Sequence, residues 1–263
     1  VVVAVNKMDD NSVNWDENRY EEVKDGVGKL LKMVGYNIDN VNFVPTSGWT
    51  GDNLVNRSEN MDWYKGPTLL EALDNFELPP KPTAKPLRIA IQDVYTIRGV
   101  GTTPVGKIET GELKPGDDII FMPSGEKGKV NSIETHYTKI DKAGPGDNIG
   151  FNTKGIPKDK VKRGEVAGHP SDPPTVAKAF TGRIFIINHP TAVGEGYTPV
   201  LHLHTVQIAV RFEKLISKLD PRTGQVVEEN PAYLRTGEAA VVRFVPLQPT
   251  AMETFKDYPS LGR

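Results

Sequence analysis

The sequence predicts a multidomain protein in which a short α/β unit is followed by two β-barrels, the second cut short. Three observations carry that prediction. A β-branched run, an amphipathic stretch and a second apolar run succeed one another within the first 45 residues. Residues 77–86 then hold four prolines in ten positions, a stiff extended composition that cannot continue a helix. Beyond them the texture changes to short β-rich runs separated by Pro-Gly-Asp turn clusters.

Val1-Val2-Val3-Ala4-Val5 is continuous rather than alternating, which predicts a parallel strand buried on both faces. Tyr20, Val23, Val27, Leu30, Leu31 and Val34 recur at three- and four-residue spacing, and Gly35 stands where a helix would stop. Val41-Asn42-Phe43-Val44 reads as a strand, so strand, helix and strand form a right-handed crossover unit. Gly66-Pro67-Thr68 opens a second helix carrying Leu69, Leu70, Leu73 and Phe76.

Residues 1–80 are therefore expected to form the α/β domain and 81–86 a linker. In the first barrel, expected over 87–174, the strands are Leu87–Ile91, Asp118–Phe121 and Lys129–Ile133, with turns at Lys114-Pro115-Gly116-Asp117 and Pro145-Gly146-Asp147. A break at Ser171-Asp172-Pro173-Pro174 precedes the second barrel, expected over 175–263, with strands at Arg183–Ile187, His202–Phe212 and Ala239–Phe244.

Composition narrows the function classes. At 263 residues the chain can bury two or three cores. With 32 Lys and Arg against 34 Asp and Glu, the net charge of −2 argues against a uniformly basic nucleic-acid binder while leaving a local basic face open. There is no cysteine, hence no disulfide framework and no thiolate metal site. The longest apolar run, Val1 to Val5, is too short to span a bilayer, and no membrane partner is expected. The chain opens inside a strand-like run and stops at Leu261-Gly262-Arg263, so it reads as part of a longer protein.

The chemistry concentrates in Asn6-Lys7-Met8-Asp9, which follows the buried strand directly. In open α/β sheets, ligands bind at the carboxyl ends of parallel strands. A carboxylate at Asp9 can accept both the N1 hydrogen and the exocyclic amino hydrogen of guanine, a match that adenine's edge does not offer. Asn6 can bond the base edge and tie adjacent loops, while the stem of Lys7 covers the base face. The next strand ends in Pro45-Thr46-Ser47-Gly48-Trp49, where backbone N–H groups can meet the guanine carbonyl and Gly48 permits close approach.

Other signals are weaker. Gly101-Thr102-Thr103-Pro104-Val105-Gly106-Lys107 fits seven places of a phosphate-binding loop, but Ile108 replaces the hydroxyl that magnesium needs and strand-like residues follow, so it reads as a barrel turn. His202 and His204, with His189 or His169, suggest a metal set, but no carboxylate stands at ligand spacing and a structural role is favoured. Glu21, Glu22, Lys24, Asp25 and Lys29 read as a solvated helix face, and Trp15 and Trp63 as packing residues.

Taken together, Val5–Asp9, Thr46–Asn53, Gly66–Leu73, Gln92–Tyr95, Pro104–Gly111, Pro145–Asn152, Arg163–Gly168 and Tyr258–Arg263 resemble the translation elongation factor 1-alpha family along essentially the whole chain. The short path from Trp63-Tyr64 to Gly66-Pro67 is similar to its archaeal branch. The resemblance implies the C-terminal part of a P-loop-type GTPase domain followed by two barrels, and delivery of aminoacyl-tRNA to the ribosomal A site with GTP as cofactor and GDP as product. It implies that Asn6, Lys7, Met8, Asp9, Ser47, Gly48 and Trp49 bind the guanine base, and that Glu134 and Asn148 lie where the aminoacylated 3′ end is held. It further implies a cytoplasmic monomer served by a nucleotide exchange factor. The family's phosphate loop, Mg²⁺-binding switch and water-positioning histidine have no match here, so this chain alone is expected not to hydrolyse GTP. Three alternatives stand beside this reading. They are a paralogous GTPase that pairs with release or rescue factors, a non-enzymatic RNA-binding double barrel, and a GTPase subunit serving small-molecule metabolism.

Overall fold

The computed structural model describes residues 1–34, 36–76 and 80–263, and the chain divides into two compact units, Val1–Pro79 and Pro80–Arg263. The helix stop expected at Gly35 and the Glu77–Pro79 part of the proline-rich boundary lie outside the described residues.

In the first unit β1 (Val2–Val5) pairs in parallel with β2 (Asn42–Pro45), Val2 opposite Asn42 and Val5 opposite Pro45. Between them runs α1 (Glu17–Val34), capped where Asp16 Oδ1 accepts from the Arg19 N–H at 2.7 Å. Glu17 in its first turn and Lys32 in its last suit the helix dipole. Tyr20 fixes the helix to the sheet, its hydroxyl donating to the Phe43 carbonyl at 3.0 Å. Burial pushes the Tyr20 phenol well above its ordinary pKa, so it remains a donor. Val5, Met8, Tyr20, Phe43 and Met61 form the core, with Trp15 and Trp63 packed against it. The second helix, α2 (Leu69–Asp74), opens with a reciprocal capping box between Thr68 and Glu71.

Two expectations change here. Of the Val1–Val5 run only Val5 is buried, since among the described residues β2 is the one strand that pairs with β1. The apolar pattern of α2 is likewise not a core face. Ala72 is buried, whereas Leu70, Leu73 and Phe76 are exposed.

The first barrel contains β3 (Arg88–Ile97), β4 (Gly101–Thr110), β5 (Asp118–Met122), β6 (Lys127–Thr135), β7 (Thr138–Ile140), β8 (Asn148–Lys154) and β9 (Val166–Gly168). Its strands run β5-β9-β3-β4-β8-β6, and β6 pairs back onto β5, so the hydrogen-bonded ring closes, with β7 appended to β6. Closure removes free edges. Inside, Ile89, Ile108, Ile119, Ile133, Phe121 and Phe151 are fully buried, the two rings stacked at 6.2 Å. The two Pro-Gly-Asp turns use one device: the Asp117 carboxylate accepts from the Lys114 N–H and the Asp147 carboxylate from the Gly144 N–H, each at 2.8 Å.

Past this ring come β10 (Val176–Ala177), β11 (Phe180–Phe185), β12 (Val193–Gly194), β13 (Val200–Leu203), β14 (Val206–Leu219), β15 (Val226–Glu229), β16 (Tyr233–Leu234), β17 (Ala239–Pro246) and β18 (Thr250–Ala251). The main sheet runs β11-β17-β14-β13, with β15 on β14, and among the described residues no ladder joins β11 to β13. The expected single strand His202–Phe212 is a hairpin of β13 and β14, turned at His204 and Thr205 with His204 at φ 41°. A core of Ile208, Val210, Phe212, Leu215, Val242 and Phe244 fills its inner face.

The two barrels share a polar junction. Arg88, 3% exposed, donates to Glu253 Oε1 at 2.7 Å, to Asp172 Oδ1 at 2.8 Å and to the Asp172 carbonyl at 2.9 Å. The Thr205 hydroxyl donates to the Ile91 carbonyl at 2.7 Å. Such a buried guanidinium is tolerable because its donors are matched by carboxylates and carbonyls.

Candidate functional site

The parallel ladder of β1 and β2 sets the first candidate site, since it makes both strands end side by side. Hydrogen bonding continues past the strand ends, with the Thr46 N–H donating to the Val5 carbonyl at 2.8 Å and the Met8 N–H to the Thr46 carbonyl at 3.1 Å. Asn6 then reaches across, its Oδ1 accepting from the Gly48 N–H at 2.9 Å. Asn6 is thus the tie between the two loops. Lys7 turns the first loop back in the left-handed region at φ 66°, uncommon for a residue with a side chain. Met8 is 2% exposed and its side chain belongs to the core, so its part at the loop is a backbone one.

The second loop is held by a polar lattice. Ser47, fully buried, accepts from the Thr50 N–H at Oγ (3.1 Å) and from the Gly51 N–H at its carbonyl (2.9 Å). The Asp52 carboxylate gathers the Thr50 and Ser58 hydroxyls and the Asn60 amide. Burial pushes the Asp52 carboxyl up, but the Ser58 and Thr50 hydrogen bonds outweigh it and leave the group below the usual carboxylate value. Asn53 is 2% exposed at φ 54°, and its amide donates to the Pro45 carbonyl at 3.0 Å while its oxygen accepts from the Ser58 N–H at 2.8 Å.

These ties leave Asn6, Lys7, Gly48 and Trp49 exposed, Trp49 at 90%, with Asp9 half-buried. Among the described residues nothing donates to the Asp9 carboxylate, and Asn6 uses only its oxygen in the loop tie, keeping Nδ2 available. A free carboxylate, an amide donor and an exposed aromatic fit the hydrogen-bonding edge and face of a guanine base. They offer nothing for phosphates, and among the described residues no group of three His, Cys, Asp or Glu is placed to hold a metal ion. Beside β1 lies a cavity of about 320 Å³, lined by Val3, Asn6, Lys7, Asp10, Arg19 and Val23 among others.

Sequence reasoning did not single out Asp52 and Asn53 as positioning residues. The available signal was a Gly-Asp-Asn run directly after a Ser-Gly turn, with Thr50, Ser58 and Asn60 nearby in sequence.

The second candidate pair comes together on the first barrel. Glu134 on β6 faces Gly150 on β8, and Asn148 begins β8 two residues away, its carbonyl accepting from the Thr135 hydroxyl at 3.0 Å. Both side chains are exposed. Next to them the β6–β7 hairpin turns on His136 and Tyr137, both left-handed at φ 47° and 64°, and Tyr137 is fully solvent-facing.

The phosphate-loop lookalike is β4 itself rather than a barrel turn, paired along its length with β3 and, from Val105 to Lys107, with β8. Gly106 serves that pairing, since a Cβ there would sit 2.5 Å from the Ala90 carbonyl oxygen. His204 is structural, with Nε2 bonded to the Ala251 carbonyl at 3.0 Å, and burial lowers its pKa against that bond and the Glu109 charge. With His202, Phe255, Pro259, Ser260 and Arg263 it lines a cavity of about 420 Å³.

Among the described residues no helix is long and apolar enough to cross a membrane. Residues 101–168 match the family model described as elongation factor Tu domain 2, and residues 179–263 that described as GTP-eEF1A C-terminal domain-like. Over all of its length the chain is 58% identical to elongation factor 1-alpha of Staphylothermus marinus and 57% identical to that of Saccharolobus solfataricus, covering 60% of each. The figures for the Methanocaldococcus jannaschii protein of the same name are 56% identity and 61% of its length. The chain thus spans about 60% of the curated relatives it matches. Among solved structures, Sup35 complexed with GMPPNP is 32% identical with a TM-score of 0.66, covering all of this chain and 64% of that one. The complex of Sup35 with GDP gives 0.65. Matched from first residue to last, this chain is homologous to the elongation factor 1-alpha proteins over the 60% of their length that it spans, and carries a match to each of the two family models.

Proposed function

We propose that this chain is the base-recognising part and the two barrels of an elongation factor that delivers aminoacyl-tRNA to the ribosomal A site in its GTP-bound form. One observation carries the reading: the Asn6–Asp9 and Ser47–Trp49 loops, at the ends of two paired parallel strands, are joined by the Asn6 to Gly48 bond and leave the Asp9 carboxylate without a donor among the described residues. In this reading Asp9 accepts the two hydrogens of the guanine edge, the Asn6 amide donates to the base, and Lys7 and Trp49 cover its faces. GTP, when bound, supplies the phosphoanhydride, and phosphoryl transfer needs charge neutralisation that base-recognition loops do not provide. The phosphates and Mg²⁺ therefore fall to residues outside this chain, which by itself leaves GTP intact. Residues 1–80 act as the rear of the nucleotide domain, 81–86 as its linker, 87–174 as the barrel that receives the aminoacylated 3′ end through Glu134 and Asn148, and 175–263 as the second barrel. The working protein acts in the cytoplasm as a monomer recharged by an exchange factor.

The test uses the protein extended to the length of its relatives. Aminoacyl-tRNA is expected to bind with GTP and to dissociate with GDP, and Glu134→Ala is expected to weaken tRNA binding at unchanged GDP affinity. Equal tRNA affinity in both nucleotide states would overturn the reading. Incubated with GTP and Mg²⁺, the present chain is expected to release no phosphate.

A further inference from the structure

We propose that Trp15 is a positioning residue of the base site, whose indole N–H closes onto the Asp52 carboxylate when a guanine base binds and so ties the two base loops together a second time. The proposal rests on the base-recognition reading and adds a residue that touches neither base nor phosphate. Trp15 stands in the turn that carries the chain from the Asn6–Asp9 loop into α1. Its backbone N–H donates to the Met8 carbonyl at 2.8 Å, and its carbonyl accepts from the Trp63 indole at 3.1 Å. Both of its main-chain groups are thus engaged, one of them on the first base loop. Asp52 belongs to the second loop, its carbonyl accepting from the Ser47 N–H at 3.1 Å.

What is left over is the indole N–H. Trp15 Nε1 is buried and has no hydrogen-bond partner, the one such side-chain atom among the described residues. A buried donor without an acceptor costs its desolvation, and such a group marks either strain or a contact still to be made. The backbone adds to the strain, for Asn14 and Trp15 are both left-handed, at φ 49° and 55°, a region that a bulky side chain rarely enters. An acceptor stands close by. Burial pushes the Asp52 carboxyl up and the Trp15 indole joins Ser58, Thr50 and Asn60 in bringing it down, yet the Trp15–Asp52 pair stops short of hydrogen-bond geometry. Asp52 has room for it. Among the described residues Oδ1 accepts from the Ser58 hydroxyl and the Asn60 amide, and Oδ2 from the Thr50 hydroxyl alone. A carboxylate oxygen offers two lone pairs, so Oδ2 keeps one. The turn from Asp10 to Trp15 borders the cavity of about 320 Å³ through Asp10 and Val13, which leaves it space to shift. A base held by Asp9 on one loop and by the Ser47–Trp49 backbone on the other draws the loops together, and that motion brings the indole N–H onto Oδ2. The Asn6–Gly48 bond then ties the loops on one side and the Trp15–Asp52 bond on the other.

The experiment uses the protein extended to the length of its relatives and follows GDP. On binding, the Trp15 Nε1–H resonance, assigned through Trp15→Phe, is expected to move downfield and to exchange more slowly with solvent. Trp15→Phe keeps a ring in the core and removes the donor, while Asp52→Asn keeps an acceptor for Ser58 and Thr50 and removes the charge. Each is expected to raise the Kd for GDP about tenfold, as the loss of one hydrogen bond to a charged group does. The double variant is also expected to lose about tenfold rather than about a hundredfold, because both replacements act on one bond. A mere packing role for Trp15 would add its loss to that of Asp52. Additive losses, or an unaltered Kd in Trp15→Phe, would overturn the proposal. An indole signal that GDP leaves unchanged would do so in the unsubstituted protein, whether or not the variants fold. The base-recognition reading fails separately, on unchanged GDP affinity in Asp9→Ala.

Discussion

The first unit and the first barrel carry their candidate sites in different ways. In the first unit two parallel strands and a helix form a thin core, and the site stands on loops tied by side-chain hydrogen bonds from Asn6, Ser47, Asp52 and Asn53. In the barrel a closed ring of strands does the positioning, and Glu134 and Asn148 project from it with free side chains. Substitutions behind the first site should therefore disorder it, while substitutions at the second should change contacts and leave the scaffold alone.

The largest effect should fall on the barrel core. Phe151→Ala removes a fully buried ring stacked on Phe121, and the barrel's unfolding transition is expected to lose about 3–5 kcal/mol. Glu134→Ala on the same ring should stay within about 0.5 kcal/mol. Comparable losses from the two would remove the distinction between scaffold and contact.

Next comes Asn53→Ala, which strands the Pro45 carbonyl and the Ser58 N–H. It is expected to cost about 1–3 kcal/mol and to speed amide hydrogen exchange at Gly48 and Ser58. Unaltered exchange at Gly48 would mean that the loop stands without the lattice. A smaller loss, about 1 kcal/mol, is expected for Thr68→Ala, which opens the capping box of α2.

The barrel also contains one buried acid, and its effect is a pH dependence. Burial raises the Glu165 pKa, against hydrogen bonds from the Ser124 hydroxyl at 2.7 Å and the Lys162 backbone. A carboxyl whose folded pKa is raised contributes stability that is full below the ordinary glutamate value and is lost as pH rises through the folded one. Glu165→Gln retains an acceptor for Ser124. It should match the parent at acid pH and exceed its stability at neutral pH, as urea melts across that window would read.

Much of this architecture is legible in the residues. The three- and four-residue spacing from Tyr20 to Leu31 gives α1, and the Pro-Gly-Asp clusters give two turns of the barrel, because both signals are local. What escaped depends on partners. The Val1–Val5 run carries the composition of a central strand, while among the described residues β2 is the one strand paired with it. The leucines of α2 repeat like a core face, yet Leu70 and Leu73 are exposed and Leu69 is half-buried. A hairpin was hidden inside His202–Phe212 because the turn is made by His204 in the left-handed region, without a glycine to mark it. At the site, Asn6 and Gly48 were readable from strand ends, whereas Asp52 and Asn53 act through three-dimensional hydrogen bonds that spacing does not encode.

The most direct test of the base-recognition account is backbone and indole NMR of this chain titrated with guanosine and, separately, with adenosine. The account predicts that the Gly48 amide, the Asn6 side-chain amide and the Trp49 indole shift with guanosine and stay in place with adenosine, and that Asp9→Ala abolishes the response. Equal shifts with both nucleosides, or a guanosine response that survives Asp9→Ala, would contradict it.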